Sequence, residues 1–338
     1  MEFTTGARLE IRITHADVGK RVSVRRLTDA CEGDARFTDA VGVLTSWDAG
    51  ELRLTRRNGQ VVRIPEAAVV AAKVVPAAPA RRRGPAATAA ELTRVAARGW
   101  PPVESERLGD WTLRASAGFT SRANSVLPLG DPGLPLDAAL ARVTRWYGER
   151  GLPALVQVAT GAADTAEPLA AELDARGWTV RRSALMQVGE LAPVADRGEA
   201  GRVELSRTTS AAWFSLYNRA AELTPAARTV LEGGPSVWFA TVQDPSGTVD
   251  PSGTPAAIGR CVVDGRWAGF AAVEVAPAHR RRGLATAVMA ALATRALEEG
   301  ASAAYLQVEP DNTAALSLYN ALDFTTHHTY HYRHQPTS

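Results

Sequence analysis

Between Val273 and Gly300 the chain reads VEVAPAHRRRGLATAVMAALATRALEEG, with His279, Arg280, Arg281 and Arg282 lodged between a strand-like stretch and an alanine-rich helix. The chemistry open to such a junction is anion binding. A helix start leaves up to four backbone N–H groups unpaired and carries partial positive charge. Gly283 lets a ligand approach the main chain, Ala285 keeps the following turn thin, and the arginines add mobile charge at the rim. Together they form a seat for a phosphate or pyrophosphate. Taken alone, the same residues also suit a solvated loop. A P-loop is excluded because no Lys-Ser or Lys-Thr pair follows, and a dinucleotide fingerprint because its three glycines are missing.

Other groups could handle protons or acyl chemistry. Tyr319 lies in EPDNTAALSLYNALDF; its phenol, with an ordinary pKa of about 10, is protonated at neutral pH and able to donate. Glu274 and Glu309 are carboxylates flanking the same region. Cys261, in IGRCVVDG, reads as a buried strand cysteine before an acyl-enzyme nucleophile. The tail HHTYHYRH offers His327, His328, His331 and His334. Alternation on a strand scatters them over both faces, so no metal site is expected.

The elements that must position these groups follow from local pattern. The strand GFAAVEVA stops at Pro277, which cannot continue a ladder. Leu284, Val288, Ala291, Leu292 and Arg295 fall on one helical stripe, and Gly300 closes the helix. This helix–glycine–strand plan has an echo: ALARVTRWYGERGLPALVQV, residues 139–158, matches AVMAALATRALEEGASAAYLQV, residues 287–308, and a short helix and a terminal strand follow each. The repeat points to a duplicated α/β domain.

VEVAPAHRRRGLATAVM resembles the acetyl-coenzyme A signature of the GNAT acetyltransferases, R/Q-x-x-G-x-G/A, with Arg280, Gly283 and Ala285 in its fixed places. LQVEPDNTAALSLYNALDF resembles that family's later motif, N-x-x-A-x-x-L-Y-x-x-x-G-F, at Asn312, Ala315, Leu318, Tyr319 and Phe324. Asp323 stands where the family has glycine, and aspartate tolerates the left-handed conformation needed there. The resemblance implies an N-acetyltransferase with acetyl-CoA as co-substrate and no metal. It implies a strand that splays from its neighbour so that the pantetheine arm pairs with backbone at Val273 and Val275. Amides from Arg280, Arg281, Arg282, Gly283, Leu284 and Ala285 would hold the pyrophosphate, and Asn312 would touch the pantetheine. Tyr319 matches the general acid. The family's glutamate would fall near Gly269 and Phe270, where no carboxylate exists, so Glu274 is taken as base, with Glu309 or a water relay as alternatives. An amine with a pKa of about 10.4 must lose a proton before attacking the thioester.

The expected fold class is α/β, a duplicated GNAT fold with a mixed sheet, preceded by a small all-β barrel. The barrel, residues 5–76, is read from LEIRI, GKRVSVRRL, AVGVLTSW, ELRLT and QVVRI, with a type I′ turn at Asn58–Gly59. It resembles the Src-homology-3-like modules that precede some bacterial acetyltransferases. Residues 77–90 read as a Pro/Ala/Arg linker, 91–192 as a degenerate GNAT-like copy and 200–335 as the catalytic domain. The middle copy has SVLPLGDPGLPLDAAL in place of the arginine turn and Leu173 where Tyr319 sits, so it is expected to bind no coenzyme A and to wall the acceptor pocket. Arg122 and Asn124, in GFTSRANS, either help to bind acceptor or build a turn.

Composition sets the outer limits. Among 338 residues, 38 basic and 36 acidic side chains leave a net charge of only +2, which argues against a nucleic-acid partner. Cys31 and Cys261 give no disulfide framework, and no secretory leader or membrane span is read, so a cytoplasmic protein is expected. The partners expected are a small-molecule amine or a protein or peptide amine, with a protein partner possible at the barrel. An acyl-CoA-sensing module without turnover is the alternative function.

Overall fold

The computed structural model describes residues 11–27, 37–56, 59–75, 84–197, 203–219, 223–243 and 254–335. The first strands are β1 (Ile11–Arg12), β2 (Arg21–Leu27), β3 (Phe37–Asp48), β4 (Glu51–Thr55), β5 (Val61–Pro65) and β6 (Val69–Val74). Then follow α1 (Ala89–Arg98), β7 (Glu104–Leu108), β8 (Trp111–Ala115), β9 (Leu127–Pro128), α2 (Leu136–Gly148), β10 (Leu155–Thr160), α3 (Glu167–Ala175), β11 (Thr179–Glu190) and α4 (Leu191–Ala195). The last stretch holds β12 (Glu204–Ser206), α5 (Ala211–Leu216), α6 (Pro225–Glu232), β13 (Ser236–Val242), β14 (Ala257–Asp264) and β15 (Trp267–Val275). It ends with α7 (Leu284–Glu298), β16 (Ala303–Val308), α8 (Thr313–Ala321) and β17 (Thr325–His334).

The echo in the sequence is real in the fold: α2-β10-α3-β11 and α7-β16-α8-β17 are the same succession of elements. The chain nevertheless gathers into two compact units that cut across this linear division. One holds Met1–Arg81, Val158–Arg182 and Thr329–Ser338; the other holds Arg82–Gln157 and Ser183–His328. The helix α1 starts at Ala89, inside the stretch read as linker, because Thr88 caps it by accepting a hydrogen bond from the Glu91 amide at 3.0 Å.

In the first unit the barrel strands run in the order β1-β6-β2-β3-β4-β5. Alternation turns Val22, Val24, Leu44, Leu52, Leu54 and Ile64 inward to full burial. The strand β6 goes beyond the five read from sequence: VVAAKV has little polar alternation, and its pairing with β2 and β1 decides it. The two-residue turn with both φ angles positive lies at Ala49–Gly50 (48° and 76°), between the paired Asp48 and Glu51. At the expected turn Gly59 has φ 81°, while Asn58 lies outside the described residues, as does Cys31.

This unit also contains α3 and the end of β17. Arg333, 1% exposed, donates to the carbonyls of Gly59 (2.7 Å) and Trp178 (3.0 Å) and pairs with Asp174 at 3.2 Å. Asp174 also pairs with Arg63 of β5 at 3.0 Å. A side chain on Gly59 would run into the ring of His331, so the barrel loop closes over that imidazole.

In the second unit a sheet carries β11, β16, β15, β14, β13 and β12 in that order. The strand β11 runs antiparallel to β16, from Leu185 opposite Val308 to Glu190 opposite Ala303. The first repeat's terminal strand thus occupies the place beside β16 that the second repeat's own β17 would fill in a simple tandem. The strand β14 is buried along nearly its whole length, with one apolar cluster on the α7 face and another around Trp213 and Phe239. Among the described residues no helix is long and apolar enough to cross a membrane.

Burial, then the nearby Arg333 charge, pushes the His331 imidazole down to about 3. The folded chain keeps it neutral, whereas the unfolded chain protonates it below about 6.5. Stability should therefore fall as pH drops from about 6.5 toward about 3, and His331→Gln should flatten that part of a melting-temperature-against-pH curve.

Candidate active site

The site begins with an interrupted ladder. Parallel pairing of β15 with β16 covers Trp267–Ala303, Ala268–Ala304, Gly269–Tyr305 and Phe270–Leu306, and stops there. On its other edge β15 pairs with β14, Arg260 opposite Ala271 and then Ile258 opposite Glu274. Two β15 residues, Ala272 and Val273, therefore stand against the single Gly259. This is a β-bulge, and Ala272 takes the positive φ of 51° that it requires. Past the bulge β15 leaves β16, and its residues change from buried to half-buried.

The bulge also fixes which way the side chains face. Ala271 and Ala272 both pack with the cluster of Trp100, Trp213 and Tyr217, although they are neighbours in a strand. Val273 and Val275 turn to the opposite cluster, against α7. Glu274 returns to the first face, where its carboxylate accepts the Asn218 amide at 2.9 and 3.2 Å, just beyond α5. Burial raises the Glu274 carboxyl above its usual range, while the Asn218 bond and the Arg219 charge oppose the rise.

The chain then turns through a short 3₁₀ helix, Pro277–His279, into the arginine loop. Arg281 has φ 62° and Gly283 φ 77°, two left-handed residues separated by one, immediately before Leu284 opens α7. Alternation of this kind curls successive amides toward one side and forms an anion-binding concavity at a helix start. A side chain at Gly283 would meet no neighbouring atom, so the glycine serves the backbone conformation and leaves the approach open. Arg280, Arg281 and Arg282 are exposed. Arg280 reaches back to the Val275 carbonyl at 3.4 Å, and Arg282 lies 3.4 Å from His279 Nδ1. Leu284 and Ala285 are half-buried, with Leu284 on the α7-side core. These residues suit a ligand with a thin arm between the strands and an anionic group at the turn.

Tyr319 reaches the parting point through aromatic packing. Its ring centroid is 6.0 Å from that of Phe324, which stands edge-on to Phe270 at 6.4 Å. Phe270 is the last β15 residue paired with β16. Burial pushes the Tyr319 hydroxyl up to about 12, so it keeps its proton at neutral pH. Asp323 holds φ 62° at the end of α8, the left-handed place anticipated for it, with Arg197 at 3.4 Å from its carboxylate. Asn312 is exposed and caps α8: its Oδ1 accepts the Ala315 amide at 3.1 Å.

Burial pushes the Cys261 thiol up to about 12, which makes it a poor nucleophile. Glu309 is exposed just beyond β16, three residues past Leu306, the last β16 residue paired with β15, so it lies at the parting end of the strand. His327 bonds His328 (2.9 Å) and the Ala87 carbonyl (2.9 Å), and His334 lies 3.0 Å from the Gln335 carbonyl. Asn124 builds a turn, accepting from Ser116 and Gly118 amides and donating to the Phe119 and Thr120 carbonyls. Arg122 instead reaches Gln307 of β16 at 2.7 Å. Arg260, 1% exposed, escaped the sequence reading. A single charge in the apolar run AIGRCVV was its only signal. In the middle copy Pro135 stands at the N-cap of α2 where the second copy has the left-handed Gly283, the nearest left-handed glycine being Gly133 (φ 72°) two residues earlier, and Leu173 is fully buried.

Residues 86–333 match the family described as "Probable histone acetyltransferase Rv0428c C-terminal", and residues 16–73 match its N-terminal Sm-like domain. The small barrel is thus Sm-like, close to the Src-homology-3-like module expected. The chain is 30% identical to the probable histone acetyltransferase Rv0428c of Mycobacterium tuberculosis, over 94% of this chain and 95% of that protein. It is 27% identical to the uncharacterized N-acetyltransferase YobR of Bacillus subtilis, over 72% of this chain and 97% of that one. Among solved structures, a GCN5-related N-acetyltransferase from Kribbella flavida shares the fold at a TM-score of 0.54 and 15% identity, over 74% of this chain and 96% of its own. A tandem GNAT protein from the clavulanic acid biosynthesis pathway does so at 0.51 and 15%, over 76% and 91%.

The cap gives Asn312 a structural role that can be weighed apart from any ligand. Asn312→Ala should cost about 1 kcal/mol of stability in denaturant titration, and Asn312→Asp should restore most of it.

Proposed function

The chain belongs to the GNAT N-acetyltransferases, in the family of Rv0428c, and from that premise we propose that it transfers the acetyl group of acetyl-CoA to a primary amine by direct attack in a ternary complex. The observation that carries this reading is the parting of β15 from β16 beyond Phe270, directly ahead of the left-handed Arg281 and Gly283. Backbone groups of Val273 and Val275 would pair with the pantetheine arm, and amides from Arg280 to Ala285 would receive the diphosphate. With Asn312 Oδ1 engaged in the cap, its side-chain amide N–H is the group left for the pantetheine. The co-substrate supplies an acetyl group activated as a thioester.

The chain's residues handle the protons. Glu274, on the face opposite Val273 and Val275, takes the proton of the incoming ammonium, directly or through a water. Its raised carboxyl draws it toward the range in which a base both accepts and releases protons near neutral pH. As the N–C bond forms and the C–S bond breaks, the acylated nitrogen releases its second proton to solvent, while Tyr319 donates its hydroxyl proton to the departing thiolate and is reprotonated from solvent. A protein amine is one acceptor class to examine, given the name of the mycobacterial relative.

Thiol release from acetyl-CoA across a panel of amines and peptides tests the reading, and release with none of them, despite coenzyme A binding, would overturn it. Tyr319→Phe should lower kcat by about 10²-fold while coenzyme A affinity by calorimetry stays the same. With Glu274 as base, kcat/KM should fall as pH drops through a carboxyl pKa above the ordinary value of 4.5. That acidic limb should vanish in Glu274→Gln, and its survival would shift the role to Glu309 or a water chain.

A further inference from the structure

Beside the parting strands lies a narrow cleft of about 10 Å³, room for about one water, lined by Trp100, Arg122, Arg260, Phe270, Tyr305 and Gln307. Its charge is unbalanced. The Arg122 guanidinium lies 4.3 Å from the Trp100 ring centroid and that of Arg260 lies 4.9 Å from it. Neither arginine has a carboxylate partner among the described residues. Two other arginines of this unit are matched: Arg98 with Asp264 at 2.7 Å, and Arg266 with Glu91 at 3.0 Å.

The two arginines differ in what they have left to give. Arg260 is spent on structure, donating Nε to the Leu231 carbonyl (2.6 Å) and Nη2 to those of Gly99 (3.0 Å) and Gly233 (2.8 Å). Arg122 uses only Nη1, toward Gln307 Oε1 at 2.7 Å. That bond holds the guanidinium in place and leaves its Nε–Nη2 edge without a protein acceptor among the described residues. Two parallel N–H groups on one edge match the two oxygens of a carboxylate. Phe270 ties the cleft to the parting point, being part of its lining and the last β15 residue paired with β16.

We infer that the mouth of this cleft is an acceptor subsite in which the Nε–Nη2 edge of the half-buried Arg122 binds a carboxylate, so that the preferred acceptors are amines carrying a carboxylate, as free amino acids do. The inference rests on the transferase reading for its word acceptor. Trp100, Gln307 and Arg260 are positioning residues here: Gln307 orients the fork, and the ring and the buried cation keep it from folding back. A lysine in a strongly basic segment would meet two unneutralised guanidinium groups and is disfavoured.

The test is calorimetry on the full chain saturated with coenzyme A, titrated with amine pairs that differ only by the carboxylate: L-lysine against cadaverine, and L-phenylalanine against phenethylamine. The carboxylate-bearing member of each pair should bind about tenfold or more tightly. Arg122→Ala should erase the difference, and Arg122→Lys should restore only part of it, because it returns the charge without the planar fork. Equal affinity within each pair, no affinity for either member, or tighter binding of cadaverine or a lysine-rich peptide overturns the inference. Carboxylate-selective binding without thiol release would keep the subsite and overturn only the transferase reading. Thiol release from amines regardless of a carboxylate would do the reverse.

Discussion

One extra residue in β15 governs the site. Ala272 accepts a positive φ of 51°, and the strand then presents two residues to β14 where one would do. Such a bulge bends and twists the strand that carries it. Hydrogen bonding to β16 stops at Phe270, two residues before the bulge, which leaves the backbone groups of the following segment without a β16 partner. The bulge also reverses the alternation, so that Val273 and Val275 close the α7-side core while Glu274 faces the cluster of Trp213 and Tyr217.

The turn that follows depends on the same economy of backbone conformation. Left-handed φ angles at Arg281 and Gly283 cost little at the glycine and more at the arginine. They point main-chain donors outward at the start of a fifteen-residue helix. The arginine side chains remain exposed around them and act as a charged rim. Tyr319 is brought to the same place by Phe324 and Phe270, so one aromatic stack links the end of the ladder to the phenol.

Duplication contributes walls as well as symmetry. The first repeat gives its terminal strand β11 to the flank of β16, and its GFTSRANS segment sends Arg122 to Gln307 of that strand. The middle copy therefore serves the second repeat without needing the arginine turn or the tyrosine it lacks. The barrel has its own anchoring: Arg333 and Asp174, far apart in the chain, bind Gly59 and Arg63.

The sequence by itself determined the family, the duplicated plan, the helix start at Gly283 and the tolerance of Asp323 for φ 62°. Each is a local matter, because spacing along the chain sets helical stripes, caps and left-handed positions. It also left Glu274 undecided between two faces, since alternation counted through a bulge gives the wrong parity. Only the tertiary structure decided the rest. It joined the lone Arg260 of an apolar strand to Trp100 and the carbonyls of distant loops. It also separated Arg122 from Asn124, two residues away, giving one to a cleft and the other to a turn. The pairings of Arg260 with Trp100 and Gly99, and of Arg122 with Gln307, join residues more than a hundred positions apart, and side-chain packing across the sheet, which no local pattern encodes, is what brings them into contact.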